Sequence, residues 1–274
     1  MLSVIIPASN EAGYIGACLT ALFASAAVPG GAEAVVVANG CRDATADVAR
    51  GFAEVAAQAG WGLVVLDLAK GSKPGALNAG DAVATGELRA YLDADVQVSP
   101  DLMAQLVDAL QRQHPTYASG TPVIPRAKSA VTRAYARFWQ RLPFAQSPAP
   151  GYGLFAVNAT GRARWGEFPG IISDDTFVRL QFLPEERVGC PAPYLWPMIE
   201  GFAPLVKVRR RQDAGVREID EAYPGLLERE GKPPLGMETL IGLILRDPVG
   251  FAVYAAVSLN VRLKRGSTAW TRGR

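Results

Sequence analysis

The sequence predicts an α/β fold built on a mostly parallel sheet, and three observations carry that expectation. Short apolar runs alternate with Ala-rich stretches of helical length through the first 125 residues, which is the rhythm of βαβ units. Polar or charged groups follow four consecutive apolar runs: Asn10 and Glu11, Asn39 and Asp43, Lys70 and Lys73, Asp93 and Asp95. Right-handed crossovers leave the carboxyl ends of parallel strands on one edge, so these residues should gather where ligands bind in open sheets. The third observation is bulk composition. With 274 residues, 49% apolar and 20% charged, the chain can build a sizeable globular core.

The elements follow in order. Val4 to Pro7 reads as the first strand and Ala12 to Ala26 as the first helix. The run from Met1 has no basic flank and is too short for a signal peptide, so the chain is expected to open on this strand. Ala34 to Ala38 and Asp43 to Ala59 form the next strand and helix, with Asp43 placed to cap the helix start. Leu63 to Leu68 precedes a helix at Pro74 to Ala84, Leu88 to Leu92 precedes one at Pro100 to Gln113, and a strand is expected near Tyr117 to Val123. Beyond residue 125 the rhythm gives way to a less regular half rich in Pro, Gly and aromatics, with no linker and no internal repeat. One domain over 1–274 is therefore expected, with a second lobe at 126–235 packed on the sheet edge and a helical segment at 236–274.

Several function classes lack material. Lys and Arg number 28 against 26 Asp and Glu, so the formal charge of +2 is too small for a general nucleic-acid binder. His114 is the one imidazole in the sequence and precedes Pro115 at an expected helix end, which removes Ser-His-Asp triads and His-rich metal sites. Cys18, Cys41 and Cys190 are odd in number, with no C-x-x-C pair, and fit a reducing, cytoplasmic compartment. Chemistry must rest on carboxylates.

In Tyr91-Leu92-Asp93-Ala94-Asp95 two carboxylates stand two apart at a strand end. In an ordinary strand they would share a face and could converge on one hard cation, Mg²⁺ or Mn²⁺. The same pair also reads as a turn cap beside a solvated strand end. Lys70 to Gly80 places Lys70, Lys73 and Gly75 around a helix start, where free N–H groups and the dipole favour phosphate. It does not match a Walker A loop. Ser173-Asp174-Asp175 precedes a helical run at Thr176 to Phe182; adjacent carboxylates suit a helix start, and they can also raise one pKa toward a general base. Lys207 to Gln212 puts four cations in five residues, either a solvated helix face or a diphosphate clamp.

Taken in order, Ser3 to Glu11, Ala38 to Thr45, Lys70 to Gly80, Asp93 to Asp95 and Ser173 to Asp175 resemble the family 2 glycosyltransferases of GT-A fold, over roughly residues 2 to 215. That resemblance implies inverting transfer of a sugar from a nucleotide-diphosphate donor, usually a UDP-sugar, to an acceptor hydroxyl, with a divalent cation. Residues 1–125 would be the donor half. By the same resemblance Pro7, Ala8 and Glu11 line the nucleotide pocket, Asn39 stands beside it and Asp43 reads the base. Lys70, Lys73, Gly75 and Asn78 lie along base and phosphates. Asp93 faces ribose or sugar and Asp95 holds the metal. Asp175 is the expected catalytic base, with Asp174 where many members have Glu. Processive members carry Q-x-x-R-W; here Arg211 keeps the Arg, but Val208 and Gln212 replace Gln and Trp, which implies a single-addition enzyme.

The family's acceptors include glycans, lipid-linked molecules and small molecules. Gly151 to Gly153 and Trp165 to Ile172 should fall on the acceptor side, where Trp165, Phe168 and Ile171 read as lobe packing; Trp196 and Glu200 fit either role. A nucleotidyltransferase would need a Gly-rich basic loop where Ala8 to Gly13 stands, and a glycosidase would leave the lysines unexplained. A non-catalytic nucleotide-sugar binder or scaffold on the same fold is the alternative. Pro248 to Val261 is uncharged but shorter than the ~20 residues of a spanning helix. The last 13 residues carry five basic side chains, no acidic one, and Trp270. Peripheral contact with an anionic membrane surface is the expectation set against a solvated tail.

Overall fold

The computed structural model describes residues 1–231 and 235–263. Among them eight strands form one sheet: β1 (Leu2–Ala8), β2 (Ala32–Asn39), β3 (Trp61–Leu68), β4 (Leu88–Leu92), β5 (Gln97–Val98), β6 (Tyr117–Val123), β7 (Leu154–Val157) and β8 (Arg187–Leu195). Their order is β3-β2-β1-β4-β7-β6-β8-β5. Strands β3, β2, β1 and β4 run parallel, so their carboxyl ends lie along one edge as the βαβ rhythm requires. Strand β7 is antiparallel to both β4 and β6, while β8 lies parallel to β6.

Period-2 alternation divides the core. Val4 and Ile6 of β1 face a layer holding Ile15, Leu19 and Leu22 of helix α1 (Ile15–Phe23) and Leu102 and Leu106 of α5 (Leu102–Leu110). Ile5, Val35 and Val37 face the opposite layer, with Ala76 and Leu77 of α4 (Lys73–Val83) and Phe177 and Val178 of α8 (Asp174–Arg179).

The expected helix at Asp43 to Ala59 is two helices, α2 (Thr45–Arg50) and α3 (Ala53–Gln58), interrupted at Gly51 and Phe52. The first helix starts at Ile15 because Ala12 to Tyr14 close a turn, in which the Tyr14 N–H donates to the Glu11 carbonyl at 2.8 Å. Helix α8 begins at Asp174 and ends at Arg179, earlier than the expected Thr176 to Phe182. The irregular half conceals two sheet strands. Strand β7 is only four residues long, and β8 carries Pro191 and Pro193, which argue against a strand inside a sheet. The β6–β8 ladder accommodates them through a register shift between Ser119 and Thr121.

A helical lobe caps the β7–β8 side. Helices α6 (Ala130–Trp139), α9 (Phe202–Ala222) and α11 (Pro248–Leu263) share a cluster of Tyr135, Trp139, Leu205, Val206 and Val257. A shorter helix α7 (Ala159–Arg162) follows β7, and α10 (Met237–Arg246) leads into α11. Asp247, at the α10–α11 junction, receives two hydrogen bonds of 2.7 Å from Arg137 and one of 3.3 Å from Arg141, and accepts the Gly250 N–H at 2.9 Å. It therefore fixes the helix pair to α6. Lys264 to Arg274, the greater part of the basic tail, lies outside the described residues.

Candidate active site

The loops after β1, β2 and β3 are tied together by short polar side chains. Asn39 is buried; its Nδ2 donates to the Ala8 carbonyl (3.0 Å) and its Oδ1 accepts the Ser72 N–H (3.0 Å), so one amide holds three strand ends. Asn10, in the left-handed region at φ 55°, accepts the Arg42 N–H through Oδ1 at 2.7 Å. Asp43 accepts from the N–H groups of Ala12 (3.2 Å) and Thr45 (3.1 Å) and from the Thr45 hydroxyl. The Thr45 oxygen in turn accepts the Glu11 N–H at 2.8 Å. Asp43 thus secures the α2 start and clamps the β1 loop over it.

At the β3–α4 connection, Ser72 caps α4 by accepting the Gly75 N–H at 3.1 Å, with Pro74 in the first turn. Helix α4 begins one residue earlier than expected, which carries Lys73 onto the helix. Its Nζ lies 3.1 Å from Asp93 and 3.2 Å from Asp174, bridging the end of β4 to the start of α8. Burial alone would pull the Lys73 pKa down; the charges of Asp174, Asp93 and Asp175 outweigh it and hold the ammonium above the ordinary lysine range. Asp174 is buried, and its pKa is pushed up to about 6, first by that burial and then by the charges of Asp175 and Asp93, against the opposing pull of Lys73. Asp175 remains partly exposed, and its Oδ1 accepts the Thr176 N–H at 2.7 Å.

Asp93 and Asp95 do not lie in a strand. Strand β4 ends at Leu92, and residues 93–96 form a turn in which the Val96 N–H donates to the Asp93 carbonyl (3.1 Å). The shared strand face expected from their spacing does not exist. The turn nevertheless delivers both side chains to one cavity.

That cavity has a volume of about 690 Å³, within the roughly 300–1,000 Å³ of small-molecule sites. Pro7, Glu11, Asn39, Lys70, Lys73, Asp93, Asp95, Asp174, Asp175 and Arg211 all line it. Ala8, Asp43, Gly75 and Asn78 do not: Ala8 is buried in the core, and Asn78 is engaged with the Phe168 backbone. The opposite wall is aromatic and apolar. Trp139 and Tyr135 of α6 are joined there by Tyr152, Trp196, Met198, Ile199 and Leu205, with Tyr152 and Trp196 stacked at 5.2 Å between ring centroids. Tyr135 and Trp139 went unrecognised in the sequence, although their i, i+4 spacing was the available signal. Arg209 also lines the cavity and pairs with Asp213 at 3.4 Å, so part of the basic run on α9 points inward. Trp165 and Phe168 pack in the core as expected, and Glu200 caps the α6 start by accepting the Lys128 and Ser129 N–H groups.

The arrangement resolves into a polar end of carboxylates and lysines at parallel strand ends, and an aromatic end carrying two arginines. The sequence of residues 3–163, well over half of the chain, matches the family model for glycosyl transferase family 2. The chain belongs to this family. It is a glycosyltransferase.

Solved structures agree on the fold. The chain is similar to the mannosyltransferase PcManGT from Pyrobaculum calidifontis, in complex with GDP-Man and Mn²⁺. They share 21% identity and a TM-score of 0.62, over 97% of this chain and 76% of that one. It is also similar to S. aureus TarS 1-349 in complex with UDP, at 16% identity and TM-score 0.54 over 83% and 68% of the two chains. A third similar structure is glucosyl-3-phosphoglycerate synthase from Mycobacterium tuberculosis with Mn²⁺, UDP and glucosyl-3-phosphoglycerate. Its identity is 16% and its TM-score 0.53, over 86% and 82%. No curated protein matches the chain.

Proposed function

We propose that this glycosyltransferase moves a sugar from a nucleoside diphosphate donor to an acceptor hydroxyl with inversion at the anomeric carbon, one sugar per encounter. The observation that carries the reading is the meeting of Lys70, Asp95, Asp93 and Asp175 in one cavity. In this reading Lys70 faces the diphosphate and the carboxylate of Asp175 faces the sugar. Asp175, oriented by the Thr176 N–H, takes the proton of the acceptor hydroxyl. The hydroxyl oxygen bonds to the anomeric carbon, the bond from that carbon to the diphosphate oxygen breaks, and the nucleoside diphosphate departs with the electron pair. Structures of similar fold carry GDP-Man, UDP and UDP-GlcNAc, so uridine and guanosine nucleotides are the first to test.

Among the described residues no group of three or more His, Cys, Asp or Glu forms a closed metal site. Mg²⁺ and Mn²⁺ do not require one in such enzymes, because a hard cation can be held by one or two carboxylates together with substrate phosphates. Asp93 and Asp95 on a turn at the cavity wall fit that donor set. By the family resemblance we assign the cation to Asp95, the second carboxylate of the turn, where it would neutralise charge on the leaving diphosphate.

The aromatic end, with Arg209 and Arg211, is the side for the acceptor, whether glycan, lipid-linked or small molecule. Calorimetric titration with UDP and GDP, with and without Mn²⁺, tests the reading. Metal-dependent binding of either nucleotide supports it, followed by hydrolysis of the matching nucleotide-sugar. Binding without any turnover across acceptors would return the scaffold alternative, and no binding of any nucleoside diphosphate would overturn the donor assignment.

A further inference from the structure

The C-terminal helix pair is apolar on the face it turns to solvent. On α10, Leu243 is buried against the lobe, while Met237, Ile241 and Leu245, spaced i, i+4 and i+8, are 70%, 50% and 78% exposed. On α11, Val249, Ala252, Leu259 and Leu263 are exposed and Ala256 is half-buried, a stripe at i, i+3, i+7, i+10 and i+14 along one side. Leu245 and Val249 stand either side of the buried Asp247, where the two axes bend by 117°. A soluble helix normally turns such stripes inward. These are turned outward although the pair is fixed to α6 through Asp247, so the exposure is not an undocked helix end.

Charge on this surface leans basic. Besides the buried Asp247, the ionic side chains of the two helices are Glu238, Arg246 and Arg262. The sequence that follows adds Lys264, Arg265, Arg272 and Arg274, with Trp270 and no acid. An apolar face with Arg246 and Arg262 at its helix ends complements an anionic bilayer, with aliphatic side chains in the acyl boundary and the guanidinium groups among the headgroups. Two copies of the chain meeting through this face would instead bring like charges together. Among the described residues no single helix is long and apolar enough to cross a membrane.

We propose that the outward stripes of α10 and α11 dock this enzyme on an anionic lipid surface, lying in the interface rather than spanning it. The surface sits one helical layer from the aromatic end of the cavity. Helix α11 packs on α6 through Tyr254 and Tyr135, stacked at 5.5 Å, and its Asn260 carbonyl accepts from Arg210 of α9 at 2.6 Å. Docking would bring the acceptor side of the cavity toward the bilayer.

The test is sedimentation of the full chain with vesicles of phosphatidylcholine containing roughly one quarter phosphatidylglycerol, against vesicles of phosphatidylcholine alone. The enzyme should bind the anionic vesicles, several-fold less the neutral ones, and less as salt is raised. The paired variants Ile241→Glu with Leu245→Glu, and Leu259→Glu with Leu263→Glu, should each lower vesicle affinity by about tenfold or more. Their thermal midpoints should match the parent, since the altered side chains touch solvent. A chain that stays in the supernatant with anionic vesicles, or variants that bind like the parent, overturns the proposal. So does a concentration-dependent dimer abolished by the same variants, which would make the face a self-interface. The readout uses neither donor nor acceptor, so its failure and that of the transfer reaction are distinguishable.

Discussion

Lys73 reaches Asp174 at 3.2 Å and thereby joins the first turn of α4 to the first turn of α8. The contact joins the regular βαβ half to the less regular half, and its carboxylate partner is the buried member of the Asp174-Asp175 pair. The sequence-based reading expected one raised pKa in the pair without saying which carboxyl carries it; in the structure it falls on Asp174, because Asp174 is the one removed from water.

That placement predicts a pH dependence of stability. The Asp174 pKa rises from 3.8 in the unfolded chain to about 6 in the folded one, so the folded state holds the proton more tightly. Its contribution is complete below the unfolded value and is lost as pH rises through the folded value. Between about pH 4 and 6 this group therefore makes the protein less stable as pH rises, by on the order of 1–3 kcal/mol. Urea unfolding of the parent and Asp174→Asn across that window should show this slope in the parent and its absence in the variant. Equal slopes would mean that Asp174 does not titrate there.

Asp175 should separate from Asp174 by function. Asp175→Asn keeps the Thr176 N–H contact through its amide oxygen and leaves the cavity lining in place, so nucleotide affinity should change by less than about twofold. Loss of the base should lower the transfer rate by about 10²-fold or more. Normal transfer by this variant would require a different base. Single-turnover rates at saturating donor decide it, since they are blind to product release.

Asp95→Ala should weaken nucleoside diphosphate binding by about tenfold or more when Mn²⁺ is present and leave binding in chelator unchanged. Asp93→Ala should behave differently, because it also strips Lys73 of a partner at 3.1 Å; its loss of affinity should persist in chelator. If both variants lose binding equally under both conditions, the division of labour between the two carboxylates is wrong.

Gly40 tests the rigidity of the loops after β2 and β3. It sits at φ +58°, and a Cβ there would come within 2.5 Å of the Gly71 backbone N. The β2 and β3 loops can approach only because a hydrogen fills that position. Gly40→Ala should cost about 1–3 kcal/mol of stability and weaken nucleotide binding by moving Lys70. A thermal midpoint equal to the parent's would show that the loops can separate freely.

The half of the fold made of βαβ units was legible, because strands β1 to β4 are apolar runs bounded by turn residues and their polar ends line up by topology alone. Strand β6 was also expected where it lies, but β7 and β8 were not. Strand β7 is too short to show a period, and the prolines of β8 mimic a loop. Within the site, Lys70, Asp93, Asp95 and Asp175 were readable as residues following strands or opening a helix. The aromatic wall was not, because Trp139, Tyr152 and Trp196 come from three separate segments of the irregular half and meet only through tertiary packing. The ion pair between Lys73 and Asp174 was equally hidden: it depends on α4 beginning one residue early and on two halves closing against each other.

Asn78 poses the sharpest question about roles carried over by resemblance, which would lay it along base and phosphates. In the structure its Oδ1 accepts the Phe168 N–H at 2.7 Å and its Nδ2 donates to the Phe168 carbonyl at 3.2 Å. Both polar ends are spent on one backbone residue, Phe168. The amide fastens the middle of α4 to the segment leading into Asp174 and Asp175. Asn78→Ala would leave a partly buried N–H and C=O unpaired, at about 1–3 kcal/mol. Its effect should reach transfer through displacement of α8, with a fall in kcat and a lower thermal midpoint, while nucleotide affinity in a direct titration stays within about twofold. Asn78→Asp should restore only half of the pairing, since a carboxylate can accept the Phe168 N–H but cannot donate to its carbonyl. A variant with parental stability and a large loss of nucleotide affinity would instead put Asn78 against the donor.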